Sequence, residues 1–269
     1  MREKSSDTPG ILVVIATLGE RTTLLRKTLN SITAQKVDNI DIVLVYPLKD
    51  TETNKLAKEF NANSINDPGS MSAAVNIGIQ SAQDKHKYVT WIGDDDILLP
   101  NSLHLTITAL EKDSNASAAF GYCKYINENG EYLFTSKAGR YAPWLMTWGP
   151  NLVPLPGTLF RLSSLRKLDY IFDESLRYAM DLDLFMRLRK IGGLVSVRAS
   201  VSAFRWHSTS ATVSNRRASL REAELVKRRY MNRFTALIAP TWEVPVRMAT
   251  YIAAERVTNL AKSRNSNKV

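Results

Sequence analysis

ILVVIATLGERTTLLRKTLNSITAQ, running from Ile11 to Gln35, joins a continuous apolar run to a segment with helical spacing. Ile11–Thr17 is rich in β-branched residues and shows no polar alternation. That is the pattern of a strand buried on both faces of a sheet. After it, Leu25, Leu29 and Ile32 recur at the spacing of one helical face. A strand feeding directly into a helix is the opening of a β-α-β unit.

Outward from this stretch the alternation continues. DIVLVYP (41–47) reads as a second strand, TNKLAKEF (53–60) as a polar helix and NSIND (63–67) as a short edge strand. MSAAVNIGIQSA (71–82) follows as a helix and KYVTWIG (87–93) as a fourth strand. PNSLHLTITALEKD (100–113) opens with Pro and Asn, as a helix start does. The order predicts an α/β fold, Rossmann-like, with a mostly parallel sheet flanked by helices. Ligands of such sheets bind beyond the carboxyl ends of the strands. ATLGER (16–21) and GDDD (93–96) both fall at strand ends and are expected to face one crevice.

Past Ala118 the pattern changes. AAFGYCKYINENGEYLFTS (118–136) reads as a hairpin turning at Asn129-Gly130. YAPWLMTWGPNLVPLPGT (141–158) is irregular and rich in Trp and Pro, a loop over the crevice. DLDLFMRLRKIGG (181–193) predicts a helix burying Leu184, Phe185, Leu188 and Ile191 and ending at Gly192. VSVRASVSAFRWH (195–207) is strand-like, and beyond Ser214 two helices broken near Pro240 and Pro245 are expected.

The composition is that of a soluble globular protein, 44% hydrophobic and 23% charged over 269 residues. Cys123 is the single cysteine, which excludes a disulfide framework or thiolate metal site and fits a reducing, cytoplasmic setting. No 18-residue apolar run and no signal-peptide cleavage pattern is present. No GxGxxG follows a strand, which argues against a dinucleotide oxidoreductase. The net charge of +10 is concentrated in the tail, where residues 214–269 hold 12 Lys/Arg against 4 Glu. No nucleic-acid recognition motif accompanies that charge, so nucleic acid is not the expected partner.

WIGDDDILLP (91–100) sets Asp94, Asp95 and Asp96 side by side after an apolar strand. A hard cation such as Mg²⁺ or Mn²⁺ prefers carboxylate oxygens together with substrate phosphates, and one or two protein carboxylates suffice. The alternative is a loop whose aspartates cap the next helix, a task for which one Asp is enough.

VIATLGERTTLLRKTLNSITAQ, DPGSMSAAVNIGI, WIGDDDILLPNSL and AMDLDLFMRL, in this order, resemble the family 2 glycosyltransferases of GT-A fold. The resemblance covers roughly residues 10 to 210. It implies a nucleoside-diphosphate-sugar donor, a divalent metal (Mn²⁺ or Mg²⁺) and an inverting reaction with an aspartate base. It also implies a GT-A catalytic domain over 1–213, split into a nucleotide-sugar half (10–118) and an acceptor half (119–213). A basic helical extension (214–269) would follow.

Carried over by position, the resemblance puts Thr17, with Glu20 and Arg21, beside the nucleotide. Asp67 lies near base and ribose, with Asn76 on the supporting helix. Asp94 contacts the ribose or a metal-bound water, Asp95 the donor, and Asp96 the metal. Asp181 falls at the base position of the family's Glu-Asp motif, although Met180 replaces the Glu. His207 matches a residue that approaches metal or diphosphate, so the expected metal set is Asp96, Asp94 and His207. The second strand ends in Tyr46-Pro47 where relatives commonly carry Asp, so the base stacks on Tyr46 or the donor differs from the usual uridine sugar. Arg205 is a diphosphate partner on the grounds that guanidinium suits phosphate oxygens.

Bland readings stand beside these. Asp181 could be only an N-cap, with Asp183 gaining from the helix dipole. His207 could be a packed or surface residue. Trp144, Trp148 and Tyr178 are acceptor-pocket candidates that core packing explains equally well. The basic tail suits an anionic membrane surface and a saccharide or lipid-linked acceptor, or else a face packing the catalytic domain or a partner subunit, such as a second copy of the chain. A non-catalytic nucleotide-sugar-binding module is the alternative function.

Overall fold

The computed structural model describes residues 9–207 and 215–266. The nucleotide-side half runs β1 (Gly10–Ala16), α1 (Thr22–Thr33), β2 (Ile40–Tyr46), α2 (Thr51–Glu59), β3 (Asn63–Asn66), α3 (Met71–Gln80) and β4 (His86–Trp91). A two-residue β5 (Ile97–Leu98) and α4 (Ser102–Lys112) complete it. Then come β6 (Ala118–Ile126), β7 (Tyr132–Ser136), a single turn α5 (Ala142–Leu145), β8 (Leu159–Arg161), α6 (Leu162–Leu165), α7 (Met180–Ile191) and β9 (Leu194–Arg205). The tail folds as α8 (Arg216–Arg229), α9 (Arg233–Ile238) and α10 (Pro240–Ser266).

One sheet holds the strands in the order β3-β2-β1-β4-β8-β6-β9-β5, with β7 paired to β6. The parallel ladders join β3, β2, β1 and β4, as the alternating sequence predicts. Beyond β4, β8 runs antiparallel to both β4 and β6, and β5 runs antiparallel to β9. Among the described residues, the parallel pairing of the second half is β6 with β9.

The unbroken apolar run of β1 follows from two cores. Leu12, Val14 and Ala16 join Val75, Ile79, Trp91, Phe160 and Phe185 on one face. Ile11, Val13 and Ile15 point the other way, toward Leu25, Leu29, Ile32, Leu44 and Leu110. Successive strand residues alternate faces, so a strand covered on both sides needs apolar residues throughout. Helix α3 lies so close to the sheet that a methyl group on Gly78 would sit 2.4 Å from Val14 Cγ1. Asp50 caps α2 and Ser70 caps α3, each accepting from backbone N–H groups of the first turn.

The tail departs from expectation in part. The breaks fall at 230–232 and at Ala239, the second directly beside Pro240 as expected, whereas none falls at Pro245. Pro240 is the first residue of α10, where a missing N–H costs nothing. Pro245 lies inside the same helix. The domain boundary expected at residues 213–214 lies outside the described residues.

Candidate active site

Parallel pairing of β1 with β4 brings their carboxyl ends together, with Val14 opposite Trp91. The following residues therefore meet: Thr17 Oγ1 donates to Asp94 Oδ2 at 2.6 Å. The aspartate loop is pinned from two further sides. Thr28 of α1 donates its hydroxyl to the Asp96 carbonyl at 2.8 Å, and β5 pairs with β9 directly after the loop. At the end of β9 the Arg205 N–H donates to Asp96 Oδ1 at 3.0 Å.

The repulsion among the three carboxylates is met unevenly. Arg21 spans two of them, donating from Nη2 to Asp94 Oδ1 and from Nη1 to Asp95 Oδ2, each at 2.6 Å. His207 Nε2 lies 2.9 Å from the same Asp95 oxygen and 3.0 Å from Arg21 Nη1. Thr17, Arg21, Asp94, Asp95 and His207 thus form one polar cluster. Asp96 has no salt-bridge partner among the described residues. Burial, aided by the neighbouring Asp95 charge, pushes its pKa up to about 8. Burial raises the Asp94 pKa as well, against the opposing pull of Thr17 and Arg21.

None of the three aspartates caps α4. Asn101 holds its N-cap position, and Gln35 Oε1 accepts the Leu103 N–H at 3.2 Å. A different space converges on the acids. A Cβ on Gly93 would lie 2.9 Å from Asp96 Oδ2 and 3.2 Å from Asp95 Oδ1. The two oxygens thus face the same side of the loop and could there hold a small hard cation that completes its shell with substrate phosphates. Asp94 is turned from that position toward Thr17 and Arg21. Among the described residues no cluster of three or more His, Cys, Asp or Glu is arranged for a metal.

Asp96 and Asp181 line one cavity of about 520 Å³, together with Trp91, Tyr125, Tyr178 and Trp206. Tyr125 senses both acids. Its hydroxyl is held above the usual phenol range by burial, with smaller contributions from Cys123, Asp96 and Asp181. Asp181 sits in the first turn of α7, where Oδ2 accepts from Asn151 Nδ2 at 3.0 Å and Oδ1 from the Leu182 N–H at 2.8 Å. Burial raises its pKa to about 6. Asp183 faces away, fully buried, bonded to Tyr230 Oη at 2.7 Å and Arg187 Nε at 2.8 Å. Asp181 is therefore free of the structural duty that Asp183 performs.

Two sequence expectations require correction. Tyr46 has no exposed surface, and its hydroxyl bonds Asn54 and Ser64, so no base can stack on it. It shares the face of Ile42 and Leu44 in the core against α1 and α2. Arg205 does not reach toward a diphosphate. Its buried guanidinium donates to the carbonyls of Asp95, Asn127 and Glu128 at 2.9 to 3.1 Å, fastening the aspartate loop to the β6–β7 turn.

The remaining candidates are placed as follows. Asp67 lies at the end of β3 with Oδ1 accepting from the Gly69 N–H at 3.1 Å. Asn76 is buried, bonded to the backbone of Phe172 and to Glu174, and braces the wall. Glu20 is exposed beside Arg21. Trp148 packs edge-on against Trp242 at 5.6 Å, and neither it nor Trp144 lines the cavity, whereas Tyr178 does.

Local sequence gave no hint of several residues. Glu222 of α8 accepts the backbone N–H groups of Arg177, Tyr178 and Ala179, at 2.9, 2.5 and 2.8 Å. It thereby holds the chain that leads into Asp181. Lys227, Glu243, Val246 and Arg247 bring α8 and α10 onto the cavity wall. Lys227 donates to the Gly149 carbonyl at 3.2 Å, and burial lowers its pKa.

This mixed sheet with acids at its strand ends is the GT-A type of α/β fold. The crystal structure of S. aureus TarS residues 1–349 shares it, with a TM-score of 0.58 at 15% identity over 81% of this chain and 65% of that one. The complex of the same TarS segment with UDP-GlcNAc gives a TM-score of 0.60 at 14% identity, with the same coverage. Residues 12–168, more than half of the chain, match Glycosyl transferase family 2, and the protein belongs to that family. An uncharacterised glycosyltransferase of Rickettsia prowazekii is 27% identical over 205 residues, 70% of this chain and 61% of that protein. One from Methanocaldococcus jannaschii is 26% identical over 199 residues, 67% of this chain and 65% of that protein. This chain therefore spans less than two thirds of these curated relatives.

Proposed function

We propose that the protein is an inverting glycosyltransferase that moves a sugar from a nucleoside-diphosphate donor to an acceptor hydroxyl in cell-surface polysaccharide or lipopolysaccharide synthesis. The observation that carries this reading is the single cavity lined by both Asp96 and Asp181. Membership of Glycosyl transferase family 2, and a fold shared with the TarS segment solved in complex with UDP-GlcNAc, support the donor class.

Thr17, Arg21, Asp94 and Asp95 form the donor side, where Arg21 orients the two carboxylates. Asp95 and Asp96 would hold Mn²⁺ or Mg²⁺, which when bound supplies positive charge against the leaving diphosphate. Asp181 takes the proton of the acceptor hydroxyl as the new bond forms at the anomeric carbon. Position matters more than basicity here, because the hydroxyl becomes acidic as the transition state is approached. Asn151 and the Leu182 N–H keep the carboxylate oriented. No covalent sugar–enzyme intermediate is required.

Incubating the protein with a panel of nucleoside-diphosphate sugars and Mn²⁺ tests the proposal. One donor should be hydrolysed slowly by the wild type, and Asp181→Asn should bind that donor equally while losing transfer. Wild-type turnover by the variant would dismiss Asp181 as the base.

The tail favours work at the inner face of a membrane. Phe234 and Leu237 of α9 are 72% and 77% exposed beside Arg229 and Arg233, an apolar and basic surface suited to anionic lipid. Among the described residues no helix is long and apolar enough to cross a membrane. Flotation with anionic liposomes should carry the protein upward at low salt, and equal recovery with neutral liposomes would count against the membrane role.

A further inference from the structure

Helices α8 and α10 build a second cavity, of about 320 Å³. Three arginines line it, Arg217 and Arg221 from α8 and Arg247 from α10. Arg247 is already paired with Glu224 at 2.8 Å. Arg217 and Arg221, one helical turn apart on a shared face, are exposed and have no acidic partner among the described residues. Between the arginines lies an apolar strip of Leu220, Met248 and Ile252, the last two 61% and 47% exposed. Tyr251 closes one side, its ring covered by the Arg216 guanidinium at 5.3 Å.

This groove adjoins the cavity of Asp96 and Asp181, because Leu220 and Arg247 line both. Its chemistry is two-sided. Guanidinium groups select phosphate oxygens, and an exposed aliphatic strip gains from covering by hydrocarbon. A free sugar or nucleotide satisfies at most the first half. A phosphate ester carrying a hydrocarbon chain satisfies both, and its far end would enter the cavity that holds Asp181.

We propose that this groove binds the phosphate and adjoining hydrocarbon of a lipid-linked acceptor, with Arg217 and Arg221 as the phosphate ligands and Met248 and Ile252 as the chain contacts. The proposal rests on the reading of Asp181 as the base of a glycosyl transfer. It turns the acceptor from an unspecified saccharide into a phosphate-bearing amphiphile.

Titration of the full chain with farnesyl diphosphate, inorganic pyrophosphate and phosphatidylglycerol vesicles, alongside the donor, provides the test. Farnesyl diphosphate should bind the wild type more tightly than pyrophosphate. The exposed double variant Arg217→Gln/Arg221→Gln should weaken that binding about tenfold, the loss expected for charge-assisted contacts at a solvent-facing site. Ile252→Ser should weaken farnesyl diphosphate but leave pyrophosphate unaffected. Equal farnesyl diphosphate binding by wild type and double variant would overturn the proposal. So would equal binding of pyrophosphate and farnesyl diphosphate, which marks a free-phosphate site, or binding to vesicles alone, which marks general membrane adhesion. Donor binding is read on the same samples: its absence from the wild type would defeat the glycosyl-transfer reading, whereas donor binding together with equal farnesyl diphosphate affinity in wild type and variants would defeat the groove alone.

Discussion

Asp96 and Asp181 share a cavity, and burial raises the pKa of both, to different degrees. Asp96 is 3% exposed, has Asp95 beside it and forms no salt bridge among the described residues, and its pKa is pushed up to about 8. Asp181 keeps two hydrogen-bond donors, so burial raises it only to about 6. Both folded values lie above the ordinary 3.8, so the folded protein binds these protons more tightly than the unfolded chain does. Their charged forms therefore weigh against stability as pH rises through those values. For catalysis the sign is the reverse: a base must be ionised, so activity is lost as pH falls through its pKa. The acid limb of kcat/KM is expected near pH 6, and a limb at the ordinary carboxylate range of about 4 would show that Asp181 is not the titrating base. Much at this scale was legible. Thr17 and the aspartates stand at the ends of neighbouring parallel strands, and the alternating sequence already predicts that both ends face one crevice. The stacking role expected of Tyr46 fails because the end of β2 is buried on both faces: Tyr46 shares the face of Ile42 and Leu44, and Val43 and Val45 fill the other.

Between elements, the N-terminus of α7 depends on α8. Glu222 accepts three consecutive backbone N–H groups from Arg177 to Ala179, and its charge also contributes to the raised pKa of Asp181. The resembling family carries a Glu immediately before its base, where this chain has Met180. Here a carboxylate from the tail reaches the same helix end. Glu222→Gln should lower stability by about 1–3 kcal/mol, the scale of charge-assisted hydrogen bonds lost at a partly buried site. It should also move the Asp181 acid limb to lower pH, because a neighbouring negative charge is removed. A limb unmoved with stability reduced would assign Glu222 a purely structural role. Nothing in the local sequence announces this contact, since its partners lie more than 40 residues apart. In the tail only one of the two prolines marks a break: the chain turns at Ala239 and Pro240 starts α10, whereas Pro245 forgoes one backbone bond within that helix.

The whole molecule combines a sheet that fixes Asp94, Asp95 and Asp96 at its strand ends with a tail that forms part of the cavity wall. The first was readable from periodicity, because each buried strand of the parallel half needs a continuous apolar run. The antiparallel insertion of β8 between β4 and β6 was not, because three residues carry no periodic signal. Nor was the closure of the cavity by Lys227, Glu243 and Arg247, which depends on how distant helices pack. The arrangement proposed above has Asp95 and Asp96 hold a cation at the donor diphosphate while Asp181 addresses the acceptor. Anomalous diffraction from a crystal soaked with Mn²⁺ and a nucleoside-diphosphate sugar examines that arrangement directly. The account predicts an anomalous peak at the Asp95 and Asp96 carboxylates, with the donor sugar in the cavity lined by Asp181. A peak elsewhere, or a donor bound away from that cavity, would contradict it.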